Sequence, residues 1–147
     1  LAIAFLTDLL DGFAARFTGQ LSQFGASLDS MADVVTYLTI TLGAWWLWPD
    51  ILREERVYVG LFLASCLVPA LVGIIKFKTF TSYHTWAVKF AAASMGLSLY
   101  LLFLANIAWP FRLASIIGIL AAVEEIAITL ILAEPKSNVR SIWFLRK

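Results

Sequence analysis

The chain has a single cysteine, Cys66, so no disulfide can form within it, and the apolar run around that residue reads as a setting for a buried, unreactive thiol. Charge is the second scarcity. Only 14% of the 147 residues are charged and 61% are hydrophobic, whereas soluble domains carry roughly 25% and 45–50%. A water-soluble globular domain is thereby excluded, and the mean hydropathy of +0.87 points to an integral membrane protein. An excess of either sign is missing too, since a net charge of +1 leaves no basic surface for nucleic acid. Internal repeats, low-complexity tracts and domain linkers are all lacking, so the chain reads as one helical bundle. Nothing at the start resembles a signal peptide, because Asp8 and Asp11 interrupt the opening apolar run too early. Leu1 is not an initiator methionine and already lies in that run, so the true start is expected further upstream.

What the chain does contain is apolar sequence in pieces of bilayer length, about 17–25 residues. Five spans are expected, at Leu1 to Phe17, Ala26 to Trp48, Val57 to Ile75, Trp86 to Ala108 and Phe111 to Ala133. Residues 1–133 would then form an all-α polytopic membrane bundle, followed by a polar tail from Glu134 to Lys147. The turns differ in charge. One side holds Arg16, Lys76, Lys78, Lys89, Lys136, Arg140, Arg146 and Lys147, and the other only Arg53, Arg56 and Arg112, eight cations against three. That asymmetry puts the basic side and the tail in the cytoplasm, at the cell membrane if the source is prokaryotic. Trp45, Trp46 and Trp48 before Pro49, and Trp109 before Pro110, read as aromatic belts at the opposite interface. Pro69 is expected to kink the third span.

Against this apolar background, the stretch from Asp8 to Asp33 carries four aspartates in two pairs, Asp8/Asp11 and Asp29/Asp33. Spacings of three and four residues put each pair on one helix face. Carboxylates at membrane depth repel one another and are costly unless a cation lies among them, and Arg16 alone cannot neutralise four. Bound metal resolves the conflict, and hard oxygen donors select Mg²⁺, Mn²⁺ or Ca²⁺. Gly12 and Ala15 leave room on the helix face for a large ligand, and Arg16 lies on the water side, placed to meet a phosphate. Gly25 lets the second pair approach the first. Cation-holding carboxylates beside an arginine suit phosphoryl transfer. A cation- or proton-coupled transporter is the rival reading, weakened because all four aspartates fall in one short window of the first two segments. A purely structural membrane protein would have no use for the charge.

The pattern Asp8-x2-Asp11-Gly12-x2-Ala15-Arg16-x8-Gly25-x3-Asp29-x3-Asp33 resembles the signature of the CDP-alcohol phosphotransferases at all eight fixed positions. Chance agreement is on the order of 10⁻⁹ per window at ordinary residue frequencies. The resemblance implies a six-span bundle with an N-terminal amphipathic helix, so one span and that helix would be missing here. It implies transfer of the phosphatidyl group of a CDP-linked lipid, such as CDP-diacylglycerol, to an alcohol with release of CMP. By the same resemblance, Asp8, Asp11 and Asp29 ligate two Mg²⁺ or Mn²⁺ ions. Asp33 is then the general base and also touches a metal, while Gly12, Ala15, Arg16 and Gly25 belong to the CDP site. A homodimer is the expected assembly. After Asp29 the chain reads Ser30, and after Asp33 Val34, where glycerophosphate-using members often carry proline and lysine. The pattern is more similar to that of phosphatidylserine synthases, a weak tilt away from glycerol phosphate.

Other polar residues admit two readings each. His84, in Ser82-Tyr83-His84-Thr85, either contacts an acceptor alcohol or phosphate or is an interfacial histidine. Lys76, Lys78 and Lys89 either form a pocket for an acceptor phosphate or face anionic lipid heads. Glu124 and Glu125 point about 100° apart on the fifth segment, so at most one faces a cavity. Asn106 is expected to hydrogen-bond between helices.

Overall fold

A computed structural model describes residues 23–79, 81, 83, 85–135, 139 and 141–145. The expected first span, Leu1 to Phe17, lies outside them. The described chain forms five α-helices and one short 3₁₀ helix, with no strand. They are α1 (Gln23–Leu47), α2 (Pro49–Glu54), α3 (Arg56–Phe77), α4 (Trp86–Ala105) and α5 (Trp109–Ile131), followed by the 3₁₀ turn Ile142–Leu145. Three of them, α3, α4 and α5, are long and apolar enough to cross a membrane. The 25 residues of α1 include a shorter apolar stretch, Met31–Leu47. The four expected spans that fall among the described residues match observed helices to within a turn at each end. The short α2 was not anticipated: Pro49 occupies its first turn, where a missing N–H costs nothing, and starts a helix rather than a bare turn.

Helix ends follow local chemistry. Thr85, fully buried, caps α4 by accepting the Val88 N–H at 3.2 Å. At the other end of α4, Asn106 adopts a left-handed conformation with φ of 54°, and the Ile107 N–H reaches back to the Leu101 carbonyl at 3.0 Å. Asn106 is exposed and serves as this C-cap instead of bridging helices, since asparagine tolerates positive φ better than most residues. Pro69 lies buried inside α3, which continues past it to Phe77.

The centre of the bundle is α5, against which both α3 and α4 pack, while α1 touches α2 and α3. Small residues let α5 occupy that position. Ala114, Gly118 and Ala122 recur every four residues and are buried, a stripe that permits close backbone approach. A methyl at Gly118 would come within 3.0 Å of Ser65 Oγ on α3. On α4 the buried face is Ala91, Met95, Ser98, Leu99 and Leu102, a helical repeat. Phe62, Met95, Leu99, Leu102, Phe111 and Ala114 form the core, with Tyr37 of α1 edge-on to Phe62 at 5.1 Å. The hydroxyls of Ser65, Ser98, Ser115 and Thr129 each donate to a carbonyl three or four residues back, which satisfies them inside an apolar bundle. Large apolar side chains such as Leu42, Ile75, Leu104, Leu120 and Leu130 face outward, the lipid-exposed surface of an integral membrane protein.

One ion pair ties the α2–α3 junction to α5. Glu55, 3% exposed, accepts from Arg112 Nη2 at 2.6 Å and Nε at 2.9 Å. At the opposite end, Lys76 of α3 donates to the carbonyls of Thr129, Leu130 and Leu132, so α3 and α5 run in the same direction and end together. The segment after α5 folds back there. Val139 is buried with Tyr83, Ile128 and Leu132, and Glu124 accepts from the Ser141 hydroxyl at 2.6 Å and the Ile142 N–H at 3.3 Å.

Candidate active site

A cavity of about 150 Å³ lies between α1, α3, α4 and α5, toward the end where α3 and α5 finish. Each wall follows from its helix. From α1 come Asp33 and Tyr37, one turn apart on the face turned to α3. The middle of α3 gives Ser65, Cys66 and Pro69, α4 gives Ala91 and Met95, and α5 gives Gly118, Ala121 and Glu125. Small residues on α4 and α5 are what leave the space open. Thr81, from the α3–α4 connection, closes one side and crowds Gly73, where any side chain would collide with it.

Of the eight motif positions, Asp8, Asp11, Gly12, Ala15 and Arg16 lie outside the described residues. Gly25 and Asp29 fall in the first two turns of α1, as the spacing predicts, although the side chain of Asp29 is outside the described set. Asp33 follows one turn later and lines the cavity, open to solvent on its outer side. Among the described residues no three His, Cys, Asp or Glu side chains are grouped as a metal site. His84 also lies outside the described residues.

The three lysines lie elsewhere. Lys76 Nζ is held by three α5 carbonyls at 2.8–2.9 Å. Lys89 lies over the Trp86 ring at 5.3 Å, and Lys78 is the left-handed cap of α3. None of them lines the cavity among the described wall residues.

Glu124 and Glu125 separate cleanly. Glu124 holds the returning tail, whereas Glu125 lines the cavity. Asp33, Cys66 and Glu125 all line this one cavity. Glu125 lies one turn beyond the buried Ala121 of α5. Ser65, Cys66 and Thr81 were not anticipated as wall residues. Polar side chains in mid-span, the first two at least, were the available sign.

The described residues thus form a helical membrane bundle with two carboxylates, Asp33 and Glu125, on the wall of a cavity toward one end. The family model described as CDP-alcohol phosphatidyltransferase matches residues 1–132. The chain belongs to that family. Over 78 residues it is 33% identical to the CDP-diacylglycerol–serine O-phosphatidyltransferase of Methanocaldococcus jannaschii, which covers 53% of this chain and 35% of that protein. The match thus spans about a third of the relative's length. No solved structure matches.

Proposed function

We propose that this chain transfers the phosphatidyl group of CDP-diacylglycerol to the hydroxyl of a small alcohol, releasing CMP, at the cytoplasmic side of the membrane. One observation carries the reading: the last aspartate of an eight-position motif, Asp33, opens into a cavity walled by the spanning helices. Eight cations against three on the two sides support the cytoplasmic placement.

The four motif aspartates offer only hard oxygen donors, a set that fits Mg²⁺ or Mn²⁺. Two such ions held there would neutralise charge on the phosphate oxygens. By their positions in the motif, Arg16 would meet the phosphate, and Gly12 and Ala15 would leave room for the nucleotide. Asp33 receives the proton of the acceptor hydroxyl as its oxygen forms a bond to the β-phosphorus. The bond from that phosphorus to the bridging oxygen breaks, and CMP departs with the electron pair. The helices that wall the cavity hold the acceptor beside Asp33. CMP release from CDP-diacylglycerol with Mg²⁺ or Mn²⁺, run against a panel of alcohols, tests the reading. Absence of CMP with every acceptor overturns it.

A further inference from the structure

One charge in the cavity has no part in the reaction as described. Glu125 projects from α5, outside the aspartate motif, and lines the same space as Asp33. Its neighbour Glu124 is engaged by Ser141 and Ile142, but no described side chain pairs with the Glu125 carboxylate. A carboxyl at membrane depth either stays protonated or takes a countercharge, from the protein or from what the protein binds.

The described wall contains no lysine, arginine or histidine. Lys76 is spent on the α5 carbonyls. A phosphorylated alcohol would therefore meet the Glu125 carboxylate with no cation among the described wall residues. A neutral alcohol would leave Glu125 without a countercharge. Size narrows the choice further, because a cavity of about 150 Å³ is of the order that takes a benzene-sized molecule. That suits an acceptor of about six heavy atoms better than a sugar phosphate.

We infer that Glu125 is the acceptor-recognising residue: its carboxylate pairs with the ammonium group of a small amino alcohol whose hydroxyl is turned toward Asp33. The inference rests on the phosphotransferase reading and specifies the acceptor for that same site. Glu125 touches substrate but takes no part in bond making.

The test uses the full chain in its membrane, with CDP-diacylglycerol as donor. Acceptors are L-serine, ethanolamine, glycerol, myo-inositol and glycerol 3-phosphate. Serine or ethanolamine should exceed the other three in kcat/KM by about tenfold or more, the scale of a charge-assisted hydrogen bond. Glu125→Gln should raise the KM of the preferred amino alcohol by a similar factor, leave the donor KM within about twofold, and be partly rescued by Glu125→Asp. Should the Gln variant fail to accumulate, ethylamine with the wild-type chain gives the same information. It should inhibit competitively against the acceptor and not against the donor. Preference for glycerol 3-phosphate or a neutral alcohol overturns the inference, as does an unchanged acceptor KM in Glu125→Gln or a raised Mg²⁺ requirement, which would make Glu125 a metal ligand. CMP release with none of the five acceptors instead overturns the phosphotransferase reading, and this inference falls with it.

Discussion

The ammonium of Lys76 lies 2.9 Å from the carbonyl oxygen of Leu132, and the same nitrogen holds the carbonyls of Thr129 and Leu130. A cation that caps the last turn of a neighbouring helix satisfies carbonyls that have no partner within that helix and meets the negative end of its dipole. Lys76 is thus a structural residue. Lys76→Gln should lower stability by on the order of 1–2 kcal/mol and leave the ratio of acceptor to donor KM unchanged. Thermal denaturation in detergent, paired with kinetics for both substrates, checks it. A selective rise in acceptor KM would return Lys76 to the binding site.

At the other end, Glu55 depends on one partner. With Arg112 replaced by Met, the buried carboxylate keeps its desolvation cost and loses both hydrogen bonds. Because the guanidinium is half exposed, the expected loss is smaller than for breaking a fully buried pair. Adding Glu55→Gln to Arg112→Met should recover part of it. Thermal unfolding of the two variants side by side gives the comparison, and a double variant weaker than Arg112→Met would mean that Glu55 has another role.

Asp33 lines the cavity that would receive the acceptor. Asn in its place keeps the shape and cannot take up a proton. With the other three aspartates retained, Asp33→Asn should bind CDP-lipid and cation with near-normal affinity, while transfer falls by roughly 10²-fold or more. Equilibrium nucleotide binding and single-turnover rates separate the two effects. Loss of binding in step with loss of rate would make Asp33 chiefly a metal ligand.

How much of this was legible in the sequence depended on the range of the interaction. The spans were readable because the bilayer imposes a length, and Val57 to Ile75 became Arg56–Phe77 with little change. That Asp33 lies one turn beyond Asp29 could be read from the sequence because the spacing is a property of one helix. Lys76 could not be resolved, since its partners lie more than fifty residues away and a lysine near a helix end suits lipid, phosphate or carbonyl equally. Glu125 was left open beside Glu124 for a related reason. Which of two adjacent glutamates faces inward is set by the rotation of α5, and that rotation depends on its packing against α3 and α4. Asn106 and Pro49 were read by residue type, whereas their roles come from backbone conformation: a left-handed cap and a helix first turn.

Cation-dependent transfer from a CDP-linked lipid at the aspartate motif is checked by measuring CMP and lipid product together, from CDP-diacylglycerol and an alcohol, using the full chain in its membrane. CMP and the phosphatidyl alcohol should appear in equal amounts with Mg²⁺ or Mn²⁺, stop on exhaustive EDTA treatment, and resume when the cation is restored. Undiminished turnover after EDTA, or CMP formed without any lipid–alcohol product, would contradict the account.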